Sequence, residues 1–391
     1  MRRLFLASAA LVAAQAISAP ATAKPEFARP PYAGIYEPQG KDERGLWMAA
    51  DEFERNLRDS PAVLRNPKIN DWLRKVLCRT IGDGRCSSVR IYVVRDSSFN
   101  ASMAPNGMMI VHTGLLVRLH SEAELATVLG HEFGHFEKRH GLAELRARRG
   151  ATNALAWITM IGIAASQSTV YTQQNITFAY FDFGRSEETE ADVISSAYIN
   201  GSPYRHRSAG VWIRIVEEDD SRRIARGLKP GRAHTTGWLD SHPAPLTRAN
   251  YLAAIEAESK DGGEEGVEAY ASATAEIMPE LYEALVKGND FGGAEYVLRK
   301  RGELSGENGQ LLFARAELYR LRGNPRDLVV ARDLFSRAAG FNDAPPEVWR
   351  GLGLCEVRLG NAEAGKVALK EYLNRNSSAK DAESISMLLR E

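Results

Sequence analysis

Cysteine is scarce in this chain, at 3 of 391 residues. That scarcity excludes a disulfide-built scaffold and leaves one pair close enough in sequence to bond. Cys78 and Cys86 flank the Gly82-Asp83-Gly84 turn signal. Their spacing matches no zinc pair, and in an oxidising compartment they can form a local disulfide. Cys355 has no obvious partner and reads as a small buried side chain. An excess of one charge is also missing. Lys plus Arg equals Asp plus Glu at 50 each, so the overall balance gives no argument for nucleic acid. Long apolar runs inside the chain are lacking too. Ala154–Ala165 falls well short of the ~20 residues that span a bilayer and reads as a buried helix. The rings that follow, Tyr171, Phe178, Tyr180, Phe181 and Phe183, fit core packing, with a flap over a cleft or peripheral membrane contact as the alternative.

One apolar stretch does carry an address. Arg2-Arg3, then Leu4 to about Ala19, then Ala21-Thr22-Ala23 have the layout of a secretory signal over residues 1–23, cleaved before Lys24. Export to the periplasm is the expectation.

The most informative residues are His131-Glu132-Phe133-Gly134-His135. Side chains four apart share a helix face, so two neutral imidazoles can grip one metal ion while Glu132 stands beside the open position and takes a proton from water. Ser121-Glu122-Ala123-Glu124 is a capping box, which predicts a helix beginning at Glu122 and still running at His131. Leu125, Val128 and Leu129 would bury one side of it. Gly130 and Gly134 each cost that helix about 1 kcal/mol relative to Ala, which close approach by another element would explain.

Catalytic zinc usually has three protein ligands and a water, so a third ligand is required. The best candidate lies in Arg185-Ser186-Glu187-Glu188-Thr189-Glu190-Ala191-Asp192, which leads into a second apolar-periodic helix. Glu188 and Asp192 share a face there. One carboxylate can bind the metal while the other steadies the ligands, and spacing alone does not choose between them. An acidic helix start that merely suits the helix dipole is the plain alternative.

Strand signals come earlier. Val89–Arg95 alternates apolar and polar positions, and the run Met108, Met109, Ile110 and Val111 follows the turn signal Pro105-Asn106-Gly107. That second run is the candidate edge strand, to which an extended substrate could add through main-chain hydrogen bonds. Asn100 either fixes the start of the strand or contacts substrate.

Together, Leu129-Gly-His-Glu-Phe-Gly-His135, Glu188-x-x-Ala191-Asp192, Ser241-His242-Pro243, Asn100-Ala101 through Pro105-x-Gly107, and Thr113-Gly114-Leu115-Leu116 resemble the HtpX, Oma and CAAX-prenyl-protease superfamily of gluzincin metallopeptidases. The likeness runs from about residue 45 to 255, and the soluble periplasmic BepA-like members resemble the chain most. It implies one Zn2+ per chain held by His131, His135 and Glu188, with Glu132 as general base and Asp192 as the supporting aspartate. The family's Ser-Arg before the ligand helix is Gly184-Arg185 here. His242 is implied either as an oxyanion donor or as a residue that occupies the open metal position and holds the enzyme latent. Arg248 pairs with Asp192 or a substrate carboxylate, or is a plain surface residue.

Glu258–Gly266 is polar and glycine-rich and suggests a break between domains. A weak repeat follows, with Ala316, Tyr319 and Gly323 answered by Gly353, Glu356 and Gly360. That offset of 37 against the tetratricopeptide period of 34 suggests an insertion around Pro325-Arg326-Asp327. The expected architecture is α+β, mostly α: a metallopeptidase domain with a small sheet over 24–260, then an all-α tetratricopeptide-like domain over 267–391. The expected activity is zinc-dependent hydrolysis of peptide bonds in misfolded or stalled envelope proteins, with outer-membrane assembly machinery as a partner of the repeats and no nucleic acid. A chaperone or adaptor acting through the repeats is the rival reading. A prenyl-protein or intramembrane protease is disfavoured by the missing membrane spans.

Overall fold

A computed structural model describes residues 29–34, 36–149, 185–231, 245–259 and 262–390. The signal segment, Ala154–Ala165 with the aromatic rings after it, and His242 lie outside the described residues.

Two helices open the described chain, α1 (Gly40–Asp59) and α2 (Pro67–Ile81). Asn66 caps α2 by accepting from the Ile69 N–H at 3.3 Å, and Pro67 occupies a first-turn position where no donor is needed. Gly82, at φ 91°, turns the chain into the one-turn helix α3 (Asp83–Cys86). Cys78 and Cys86 are joined there by a disulfide, with Cα atoms 5.1 Å apart.

Three strands follow: β1 (Arg90–Val94), β2 (Ala101–Met103) and β3 (Met108–His112). Their order in the sheet is β1-β3-β2, with β3 parallel to β1 and antiparallel to β2. The run Met108–Val111 is therefore the central strand and not the edge. All five β3 residues are buried, as a strand covered on both faces must be, and a continuous apolar run signals that position where alternation would signal an edge. The edge beyond β3 is β2. The turn between them is closed by the Ala104 N–H on Met108 O (2.7 Å) and by Gly107 at φ 89°.

Helix α4 (Thr113–Arg118) leads into α5 (Glu122–Lys138), whose first turn is capped by Ser121 Oγ accepting from the Glu124 N–H at 3.1 Å. After α6 (His140–Arg149) the described chain resumes with α7 (Arg185–Gly201), α8 (Ala209–Ala225) and α9 (Pro245–Glu258). Eight more helices complete it: α10 (Val267–Thr274), α11 (Met278–Lys287), α12 (Phe291–Ser305), α13 (Gly309–Arg322), α14 (Pro325–Ala338), α15 (Glu347–Arg358), α16 (Ala362–Arg375) and α17 (Ala382–Leu388). Among the described residues no helix is long and apolar enough to cross a membrane.

One apolar core runs without interruption from Leu64 to Leu318, through Leu73, Leu129, Phe133, Tyr270 and Leu298. It does not stop at the polar stretch Glu258–Gly266. The described end of that stretch, Gly262–Gly266, packs against the N-terminus of α5: the Glu122 and Ala123 N–H groups donate to Gly266 O (3.4 Å) and Glu265 O (3.0 Å). A Cβ on Gly263 would stand 2.8 Å from the Tyr204 and Arg205 backbone, so glycine here reflects close backbone approach. Further along, α12 is fastened to the same body by buried Arg301, which donates to Val117 O (3.1 Å) and Leu119 O (3.0 Å) at the end of α4.

The pairs α13/α14 and α15/α16 form successive helical hairpins around a second cluster that includes Leu312, Ala331, Phe335 and Cys355. Only Gly323 and Asn324 separate α13 from α14, so no insertion sits near Pro325. The extra length of the repeat lies in the link 339–346 between the hairpins.

A disulfide closing so short a loop is worth about 2.5 kcal/mol by the chain-entropy relation. The double substitution C78S/C86S should lower unfolding free energy by roughly that amount, read from denaturant titration under oxidising conditions. Under reducing conditions the difference should vanish.

Candidate metal centre

The site is built where α5 and α7 cross. Gly130 and Gly134 lie on the contacting face: a Cβ on Gly134 would stand 3.3 Å from Ala191 O and 3.4 Å from its Cα, and one on Gly130 would stand 3.0 Å from Ser195 Oγ. Ser195 Oγ also donates to Thr127 O at 2.8 Å, tying the helices side by side. This proximity brings Glu188 of α7, wholly buried, against His131 and His135 of α5.

The ligand atoms converge. His131 Nε2 and His135 Nε2 are 3.0 Å apart, Glu188 Oε1 is 3.3 Å from His135 Nε2, and Glu188 Oε2 is 3.5 Å from His131 Nε2. A tetrahedral ion with ligand bonds of ~2.0–2.1 Å has donor atoms about 3.3–3.4 Å apart, so the three side chains already lie along the edges of such a polyhedron. Two imidazoles and a carboxylate also form a donor set suited to a borderline divalent metal. Burial pushes His135 down to about 3, which keeps its ring neutral and its lone pair available.

Arg248 of α9 completes the arrangement from a third segment. Its Nε and Nη2 form a fork on Asp192, at 2.7 Å to Oδ2 and 2.6 Å to Oδ1. Its Nη1 lies 3.3 Å from Glu188 Oε2, and its guanidinium stands 4.0 Å over the Trp212 ring. Asp192 Oδ1 is in turn 2.9 Å from His131 Nδ1, and Tyr251 OH donates to Oδ2. Arg248 Nη2 stands equally close to the same nitrogen, at 2.9 Å, so Asp192 and Arg248 together fix the ring that presents Nε2 to the cluster. Burial works to raise Asp192, yet Arg248 and then His131 hold it below the usual carboxylate range. Arg248, 1% exposed, is no surface residue.

Glu132 lies beside the cluster in a small cleft lined also by Ala101 of the edge strand, Phe99, Trp212 and Arg248. Burial, with Glu188 and Asp192 nearby, pushes its carboxyl up to about 7. Asn100 is buried, its backbone carbonyl accepts from the His112 N–H at 3.0 Å, and its side-chain Nδ2 has no hydrogen-bond partner among the described residues. The sequence reading passed over Trp212 and Tyr251, and also His140 and Glu190, which stand behind His135. Neither spacing nor composition marks them, because Trp212, Tyr251 and Glu190 are brought in by tertiary crossings and His140 by the left-handed turn at Arg139.

Residues 65–256 match the model of peptidase family M48. The chain carries an M48 peptidase domain. The similarity extends to the mitochondrial metalloendopeptidase OMA1 of Arabidopsis thaliana, 36% identical over 42% of this chain. A beta-barrel assembly-enhancing protease of Yersinia pestis is 25% identical over 51% of the chain, and the human mitochondrial metalloendopeptidase OMA1 is 27% identical over 41%. These matches span only 31% to 41% of the relatives' own lengths.

Because the crossing of α5 and α7 sets the spacing of the M48 donor atoms, Gly134→Val should force α7 outward. Zinc affinity should fall by about tenfold or more, on the scale of changes to ligand support, while far-UV circular dichroism stays close to wild type. Metal competition with a chromophoric chelator measures it.

Proposed function

We propose that this protein is a zinc metalloendopeptidase that cleaves peptide bonds of unfolded or misassembled proteins in the periplasm. The observation that supports it best is the convergence of His131, His135 and Glu188 within 4.8 Å of one another beside Glu132, inside an M48 domain. In this reading His131, His135 and Glu188 hold zinc, which supplies Lewis acidity to the scissile carbonyl and acidifies water.

The chain's own residues do the rest. Glu132 accepts the proton of the attacking water and returns it to the leaving amine, a cycle favoured by a carboxyl poised near neutrality. Edge strand β2 aligns an extended peptide through its free backbone groups, with Ala101 next to Glu132 in the cleft. Main-chain pairing of this kind makes weak demands on sequence, which suits unfolded substrates. Asp192 and Arg248 keep His131 oriented and hold the charge of the buried carboxylates in check. His242 remains the candidate oxyanion donor or latency residue.

The relatives named for beta-barrel assembly, together with the helical hairpins from Val267 onward, support a role beside outer-membrane assembly machinery. In that role the hairpins recruit substrates or partners as a tetratricopeptide-like region. The signal layout of residues 1–23 and the Cys78–Cys86 disulfide support the exported location.

Glu132→Gln tests the chemistry. Cleavage of an unfolded protein substrate should fall by about 10²- to 10⁴-fold, the usual contribution of a general base, with bound zinc unchanged. Chelation should abolish wild-type cleavage, and added zinc should restore it. Cleavage by the variant at the wild-type rate would overturn the assignment.

A further inference from the structure

Helix α5 ends at Arg139, a non-glycine residue in the left-handed conformation at φ 55°. That conformation costs an ordinary side chain about 1–2 kcal/mol, and here it is held by the guanidinium, which donates to Glu43 Oε1 (3.1 Å), Tyr36 OH (2.8 Å) and Arg29 O (2.7 Å). The turn folds His140 back against the helix it has just left. Its ring meets that of His135 edge to face, with centroids 4.9 Å apart, and it is 4% exposed.

The ring nitrogens are ordered in a line. His135 Nδ1 is 2.8 Å from His140 Nδ1, and His140 Nε2 is 3.3 Å from Glu190 Oε2. Glu190 belongs to α7, two residues after Glu188 and half-exposed, and Lys138 Nζ reaches its Oε1 at 2.9 Å. A carboxylate can only accept, so the His140 proton belongs on Nε2. His140 Nδ1 is then an acceptor, and the proton shared with His135 must come from His135 Nδ1. With its proton there, His135 presents a lone pair on Nε2, the atom that faces His131 and Glu188.

We propose that His140 and Glu190 are positioning residues that set the tautomer and ring orientation of His135 for metal binding. The proposal rests on the reading of His131, His135 and Glu188 as metal ligands. It makes the two imidazole ligands unlike in support: His131 is backed directly by the Asp192 carboxylate, whereas His135 is backed by a neutral imidazole that relays a carboxylate at the surface.

The test is zinc affinity of the full mature chain, measured by chelator competition on wild type, His140→Leu, His140→Gln and Glu190→Ala. Leu fills similar space without an acceptor, whereas Gln offers an oxygen to His135 Nδ1 and a donor to Glu190. Loss of support behind a ligand costs about 10- to 100-fold in affinity, so H140L should fall in that range, H140Q should stay within about threefold of wild type, and E190A should lose a few-fold. Affinity for H140L equal to wild type overturns the relay, as does an H140Q form as weak as H140L. Should H140L fail to fold, E190A decides, because Glu190 is half-exposed and its replacement leaves the core intact: unchanged affinity there overturns the proposal. A wild-type chain that binds no zinc sinks the metal reading itself. Tight wild-type binding with indifferent variants sinks only the relay.

Discussion

Everything at the centre depends on how closely two helices can approach. Gly130 and Gly134 on α5 face Ala191 and Ser195 on α7, and a Cβ at either position would crowd that helix at 3.0 to 3.3 Å. Glycine within a helix is unfavourable by about 1 kcal/mol per residue, so two of them in one helix are tolerated only because packing against α7 offsets the loss. The separation they allow is what places a carboxylate from one helix within reach of two imidazoles on the other. A buried carboxylate facing two imidazole rings is in turn acceptable only where a cation, or a guanidinium such as that of Arg248, offsets its charge.

Charge balance in the interior accounts for the next layer. Glu132, Glu188 and Asp192 are all buried, with Glu188 and Asp192 close enough to raise Glu132, and among the described residues Arg248 is the permanently charged cation touching two of them. Its fork on Asp192 and its seat over Trp212 fix a guanidinium that would otherwise be costly to desolvate. Three segments distant in sequence, α5, α7 and α9, are thereby drawn to one point. Removing the guanidinium would leave like charges facing each other in a low-dielectric space, so the site's architecture and its electrostatics stand or fall together.

Much of this is legible in the amino-acid sequence. The capping box at Ser121 placed the start of α5, the i, i+4 spacing placed both imidazoles on one face, and the glycines announced a close neighbour. Local rules suffice for such features because they concern one helix at a time. The sheet shows where local rules end: Met108–Val111 reads as a strand from composition, but its place between β1 and β2 follows from a crossover that composition does not encode. Its unbroken apolar run is the signal the sequence offers, and it points to a central strand. In Gly262–Gly266 the same glycine and polar content that suggests a loose link serves a tight backbone clasp on the first turn of α5. Glycine permits both, and only the partner tells them apart.

That clasp bears on how the helical tail is joined to the peptidase. Tyr270 OH donates to Leu116 O at 2.6 Å, and its ring meets Trp72 edge to face at 5.2 Å, so α10 belongs to the peptidase core. Helix α13 then serves both bodies: Leu311, Ala314 and Leu318 face the large core, whereas Leu312 and Ala316 face the cluster of the distal hairpins. A helix buried on opposite sides cannot rotate toward one cluster without opening the other. Rigid packing, not a flexible tether, thus sets the orientation of the distal hairpins relative to the α5–α7 crossing. A load applied at α15 or α16 has a continuous path through α13 and α12 to Arg301, and from there to the end of α4, one turn of chain before the cap of α5.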